Sequence, residues 1–75
     1  MEIAKTLDAK GLACPMPIVK TKKAIDDVES GEILEVQATD AGAKSDLAAW
    51  TKSSGHELVD TKEEGGVYTF YVKKG

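Results

Sequence analysis

Cys14-Pro15-Met16-Pro17 concentrates the chemistry of this chain, because it holds the only cysteine among the 75 residues. The thiolate is the nucleophilic form, and a free cysteine with a pKa of about 8.5 is mostly thiol at neutral pH. The residues that follow have helical periodicity, so the sulfur falls at a helix start, where backbone dipoles favour negative charge. Pro15 suits the first helical position, since its angle is already helical and its missing N–H would be unpaired anyway. That reading places Cys14 at the N-cap. Pro17 then falls at the third position, still inside the turn that needs no intrahelical donor. Met16 precedes a proline and resists helical angles. The segment is stiff and aims the thiol in a fixed direction. Pro15 and Pro17 offer no N–H to an anion, so the dipole helps less here than at a glycine-rich anion site. Lys10, four residues upstream, has two courses open: approach to the sulfur, or projection into water.

Spacing alone leaves two readings of Cys14: a nucleophile or sulfur carrier, or a small buried apolar residue. His56 is the sole histidine and follows Gly55 at a helix end. It reads as a loop or strand-edge residue rather than the base of a cysteine hydrolase, and nothing resembles a Cys-His-Asn set. With no second cysteine there is neither an internal disulfide nor a thioredoxin-like cycle. One cysteine and one histidine argue against a zinc site, which usually takes four such ligands. A chain this short buries only about 60% of its unfolded surface, which leaves no cavity for a bulky cofactor; no metal and no cofactor are expected. What remains is chemistry that needs one exposed sulfur and a partner protein: a thiolate takes a sulfane sulfur, keeps it as a persulfide, and yields it to an acceptor.

The elements that must position this sulfur follow from periodicity. Glu2 to Leu7 reads as a first strand, with Ile3, Lys5 and Leu7 on one face, and Asp8 to Gly11 as a loop. From Pro15 to Val28 the residues Ile18, Val19, Ala24, Ile25 and Val28 fit a helical face, with Thr21 on the same side. Gly31, able to take a left-handed turn, ends that stretch. Ile33 to Thr39 alternates as a buried strand. Ala43 to Lys52 reads as a second helix, with Leu47 and Trp50 on its apolar face and Asp40 or Ser45 as candidate caps. Glu57 to Lys62 is a weakly patterned strand. Glu64-Gly65-Gly66 is a turn signal before the last strand, Val67 to Lys73. The order β-α-β-α-β-β predicts an α/β (α+β) two-layer sandwich, a mixed four-stranded sheet with two helices on one face, as a single domain over residues 1–75. The last two strands should form an antiparallel hairpin.

The net charge of −3, from ten lysines, no arginine and thirteen acidic residues, argues against direct nucleic-acid binding, which runs on clustered basic residues. A small RNA-binding domain is suggested only by the sandwich itself. No apolar stretch approaches the ~20 residues of a membrane span, and the first residues lack a signal peptide's pattern. The expected setting is cytoplasmic and reducing, without membrane insertion.

The chain resembles the TusA/SirA-like sulfur-carrier family over nearly its whole length. The residues that carry the resemblance are Leu7-Asp8, Gly11-Leu12, Cys14-Pro15-Met16-Pro17, Lys20, Gly31, Leu34 with Val36, Asp40, Asp46, Trp50, Gly55-His56 and Tyr68 through Lys73. The resemblance implies the same sandwich and a partner-dependent sulfurtransferase in which Cys14 accepts a persulfide sulfur from a cysteine desulfurase or a rhodanese-like donor. It implies transfer to a DsrE-like or other acceptor protein. Branches of the family serve tRNA thiolation, sulfur oxidation, thiosulfate uptake with a membrane transporter, molybdenum-cofactor sulfur supply and selenium metabolism. Asp8 and Gly11 are the candidates for shaping the loop that presents Cys14, with Pro15 and Pro17 as its mount. Lys10, Lys20, Lys22 and Lys23 are the candidate docking residues. Asp40 and Asp46 read as caps or flanks of the second helix, and Trp50 as core. The competing class is a regulatory or protein-binding module of the same fold in which the cysteine is not catalytic.

Overall fold

The computed structural model describes residues 2–13 and 15–75. Its elements are β1 (Ile3–Ala9), α1 (Met16–Ala24) continued by a 3₁₀ turn (Ile25–Asp27), β2 (Ile33–Ala38), α2 (Ala43–Ser54), β3 (Glu57–Glu64) and β4 (Val67–Lys73). The four strands form one sheet in the order β1-β2-β4-β3. β1 and β2 are parallel, whereas β4 runs antiparallel to both of its neighbours. Both helices cover one face, so the expected mixed two-layer sandwich is the observed architecture.

The elements follow their side-chain periods, with differences at the ends, except β3, whose inward residues Leu58 and Thr61 are three apart across a register shift and which runs on to Glu64 past the expected Lys62. β1 runs two residues beyond the expected Leu7, because Asp8 and Ala9 stay in register with Gln37 and Ala38. Ala9 continues the inward alternation and is fully buried. α1 buries Pro17, Thr21 and Ala24, and Ile25 and Val28 extend the same stripe through a tightened last turn. Val19, expected on that face, instead remains 38% exposed. It lies two residues from Pro17, about 200° around the helix. α2 buries Ala43, Leu47 and Thr51, and runs on to Ser54 before Gly55 stops it at φ +79°. Its N-cap is Gly42, without a side-chain cap, and Ser45 lies within the helix; backbone bonds from Ala43 to Asp40 O and from Asp46 to Gly42 O close the turn.

β4, last in sequence, occupies the interior of the sheet. Tyr68, Phe70 and Val72 point to the helices, and Phe70 and Val72 are fully buried. β3 takes the edge. Its charged residues and a register shift between Leu58 and Asp60 suit an edge strand, paired on one side only, that must not recruit another. Gly65 (φ +57°) and Gly66 (φ +82°) join β3 to β4 in a hairpin turn that needs positive φ at both central positions. The core is completed by Leu34, Val36 and Ala38 of β2 against Ala24, Ile25, Val28, Ala43 and Leu47.

Opposite the Ala9–Ala38 end, Gly31 (φ +88°) donates to Lys74 O at 2.7 Å, and Lys74 N donates to Glu32 O at 3.0 Å. Lys5 Nζ meets Asp27 Oδ2 at 2.6 Å, tying β1 to the 3₁₀ turn. The hydrogen bond from Lys5, then its charge, hold the Asp27 carboxyl below its ordinary value of 3.8. A carboxylate depressed in the folded state stabilises the fold above its unfolded pKa, and the contribution is lost as pH falls through the folded value. Carboxyl titration by NMR should therefore find Asp27 below 3.8, and Lys5→Met should return it toward that value. An unchanged Asp27 midpoint in the variant would show that the pair does not persist in solution.

Candidate functional site

The link from β1 to α1 is held on both sides of the cysteine position, and Cys14 itself lies outside the described residues. On the strand side, Asp8 Oδ1 accepts from the Lys10 amide at 3.0 Å, and Leu12 N donates to Ala9 O at 3.3 Å. Gly11 adopts φ +82°, the left-handed region that an L side chain rarely enters. Its amide donates to Thr39 Oγ1 at 2.9 Å. Sequence reading does not assign Thr39 to the site: it reads as the last residue of the second strand, whereas β2 ends at Ala38 and leaves Thr39 beyond it.

On the helix side, the N-cap is Pro15 rather than Cys14. Pro15 has φ −95° and ψ 13°, between turn and helix. The Met16 amide is taken by Ala13 O at 2.9 Å, and the helical ladder begins with Val19 N to Pro15 O at 3.1 Å. Closing that turn shifts the helix start by one residue, so Met16 and Pro17 occupy the first two helical positions. Between Pro15 and Pro17 no amide is left for an anion: both prolines lack the N–H, and Met16 has used its own. Pro17 is buried, and its carbonyl accepts from Thr21 Oγ1 at 2.7 Å. Ala13 and Pro15, the sequence neighbours of Cys14, are both exposed.

Lys10, Lys20, Lys22 and Lys23 are all exposed, but helical geometry sends those of α1 in two directions. Met16, Val19, Lys20 and Lys23 share one ridge by i, i+3, i+4, i+7 spacing, with Met16 40% and Val19 38% exposed. Lys22 instead borders an open groove of about 510 Å³ between the helices, lined also by Pro15, Ile18, Asp46, Trp50 and Ser53.

Trp50 is half-buried against the core, its ring 5.2 Å from that of His56. His56 Nδ1 accepts from Gly75 N at 3.0 Å. His56 precedes Glu57, which pairs with Lys73, and Lys73 pairs with Ile33. That is the far end of the sheet from Ala9, roughly 20 Å along β1 at strand rise. Among the described residues, no three His, Cys, Asp or Glu side chains gather to hold a metal ion. No helix among them is long and apolar enough to cross a membrane.

The family profile described as "Sulfurtransferase TusA" matches residues 5–74. The chain belongs to the TusA family. YrkI of Bacillus subtilis (strain 168) is 61% identical over 75 residues, covering all of both chains. Sulfur carrier protein TusA of Allochromatium vinosum is 48% identical over 68 residues, 91% of this chain and 90% of that one. The crystal structure of a SirA-like protein from Desulfitobacterium hafniense superposes with a TM-score of 0.82 at 25% identity, covering 95% of this chain and 97% of the other. The TusA-family match takes in every element described above except the first two residues of β1, and sulfur carriage is the general role that membership brings.

Replacing Gly11 should test the strand side of the mount. Its amide is held by Thr39, so a side chain cannot escape the left-handed angle without breaking that bond. Gly11→Ala is expected to destabilise the fold by about 1–2 kcal/mol, read as a lower urea midpoint at unchanged m-value.

Proposed function

We propose that this protein is a persulfide sulfur carrier, with Cys14 as the atom that is loaded and unloaded. The observation that carries the reading is the mount described above. A TusA-family chain places its lone cysteine between exposed neighbours, Ala13 and Pro15, at the head of a helix anchored through buried Pro17. In the loading step the Cys14 thiolate attacks the terminal sulfur of a donor persulfide. The donor's S–S bond breaks as the bond to Cys14 forms, and the donor cysteine leaves as its thiolate, with no net oxidation. In unloading, an acceptor nucleophile attacks the outer sulfur and Cys14 departs as thiolate. Neither step requires a base, metal or closed pocket. The helix dipole favours the Cys14 thiolate less than at an anion site with free amides, because Pro15 and Pro17 have no N–H and the Met16 amide is bonded to Ala13 O.

The donor class that fits is a cysteine desulfurase or a rhodanese-like protein, and the acceptor class a DsrE-like or other thiol-bearing protein. Asp8, Gly11, Pro15 and Pro17 present the sulfur. Lys10, Lys20, Lys22 and Lys23 supply positive charge to an acidic partner surface, and exposed Met16 and Val19 add apolar contact on the same ridge as Lys20 and Lys23.

Incubation with a cysteine desulfurase and cysteine should add ~32 Da, one sulfur, to the protein. Cys14→Ser should fold normally and gain nothing. A folded wild-type protein that takes up no sulfur from desulfurase or rhodanese donors would favour the module in which the cysteine has no catalytic part. For the docking residues, the double variant Lys22→Glu, Lys23→Glu should transfer sulfur more slowly and with a weaker salt dependence. Wild-type rates at every ionic strength would remove these two lysines from the docking surface.

A further inference from the structure

We propose that Thr39 is a positioning residue for Cys14, its hydroxyl latching the Lys10–Ala13 segment to the end of β2. The assignment rests on the carrier reading above and extends it to a residue outside the Cys-Pro-x-Pro segment. Two of the bonds within this link are local: Lys10 N to Asp8 Oδ1 and Leu12 N to Ala9 O. The bond from Gly11 N to Thr39 Oγ1, at 2.9 Å, spans 28 residues and joins the link to a different strand. The parallel register makes it possible. Ala9 lies opposite Ala38, so Thr39 stands one step beyond β2 just where the chain turns away from β1. Gly11 turns its amide toward that hydroxyl by taking φ +82°.

The other side of Cys14 is already stiff. Pro15 is the N-cap of α1, and Pro17 in its first turn is buried. A stiff mount fixes a direction only if the chain enters it from a fixed point, and Gly11 is the last residue before Cys14 with a described bond to a different strand. Thr39 is exposed, so removing its hydroxyl leaves the core untouched.

The test compares Thr39→Val, which keeps the branched shape and loses the acceptor, with Thr39→Ser, which keeps the acceptor. Thr39→Ala serves as a second hydroxyl-free variant, and urea unfolding establishes that all three are folded. Three readouts are taken: exchange of the Gly11 amide by NMR, the pH profile of Cys14 alkylation by iodoacetamide, and sulfur loading from a cysteine desulfurase with cysteine. Thr39→Val is expected to speed Gly11 exchange, shift the alkylation profile and slow loading about tenfold, since small misplacements of a reacting group are costly. Thr39→Ser should stay near wild type in all three. The proposal is overturned if Thr39→Val and Thr39→Ala keep the wild-type alkylation profile, or if Thr39→Ser is impaired as much as they are. Should the wild-type protein accept no sulfur, the carrier reading is lost, while exchange and alkylation still decide the latch.

Discussion

The parallel pairing of β1 with β2 is the constraint on which the rest of the structure depends. Two parallel neighbours cannot be joined by a tight turn, so the chain must leave the end of β1, cross the sheet as α1 and return through Gly31. β2 then ends level with β1, Ala38 opposite Ala9, and α2 departs from that same end. The two helices consequently start from the same end of the sheet, and Pro15, Ile18 and Lys22 on one side and Asp46, Trp50 and Ser53 on the other line one groove. Cys14 sits in sequence where the first of these crossovers begins. The link that leads to it from β1 lies beside the end of β2, and that is how a threonine 28 residues beyond Gly11 comes to hold the Gly11 amide.

A small core must sustain this arrangement without a disulfide. Phe70, Leu34, Leu47, Val28, Val36 and Val72 are its largest fully buried apolar side chains, each contributing about 1.5–3 kcal/mol by burial. Two threonines are buried with them. Thr21 donates to Pro17 O and Thr51 to Ala48 O, so neither hydroxyl pays the desolvation penalty of an unpaired group. Among the described residues no buried side-chain polar atom lacks a partner. Pro17 belongs to both worlds: it is packed into the core, and it stands three residues after the cysteine. Stability and the proposed presentation of the site therefore meet in one residue.

The alternation from Leu34 to Ala38 in β2, the shared face of Tyr68, Phe70 and Val72 in β4 and the paired glycines at 65–66 made the sheet face, the hairpin and the order of elements legible in the sequence. Element ends were less so. Asp8 reads as a loop residue because it is polar, yet an outward-facing position in a strand accepts it. Val19 looks like core by composition, but a helix buries a stripe, and the stripe here runs through Pro17, Thr21 and Ala24. Pro15 was legible as a helix-start residue. Its exact position was not, because the Met16–Ala13 bond depends on how the preceding loop arrives. Thr39 was invisible for a related reason: its partner is fixed by strand register, which a single sequence leaves open when the first strand is only modestly patterned.

The strand directions also decide where the chain's two ends come out. Ile3 pairs with Ile33, Ile33 with Lys73, and Gly75 is bonded to His56 and Ser30. Ile3 and Gly75 thus both lie at the pole of the molecule that faces away from Pro15. A tether, tag or companion module grafted onto either extremity would depart from that pole and leave the opposite one clear for visitors.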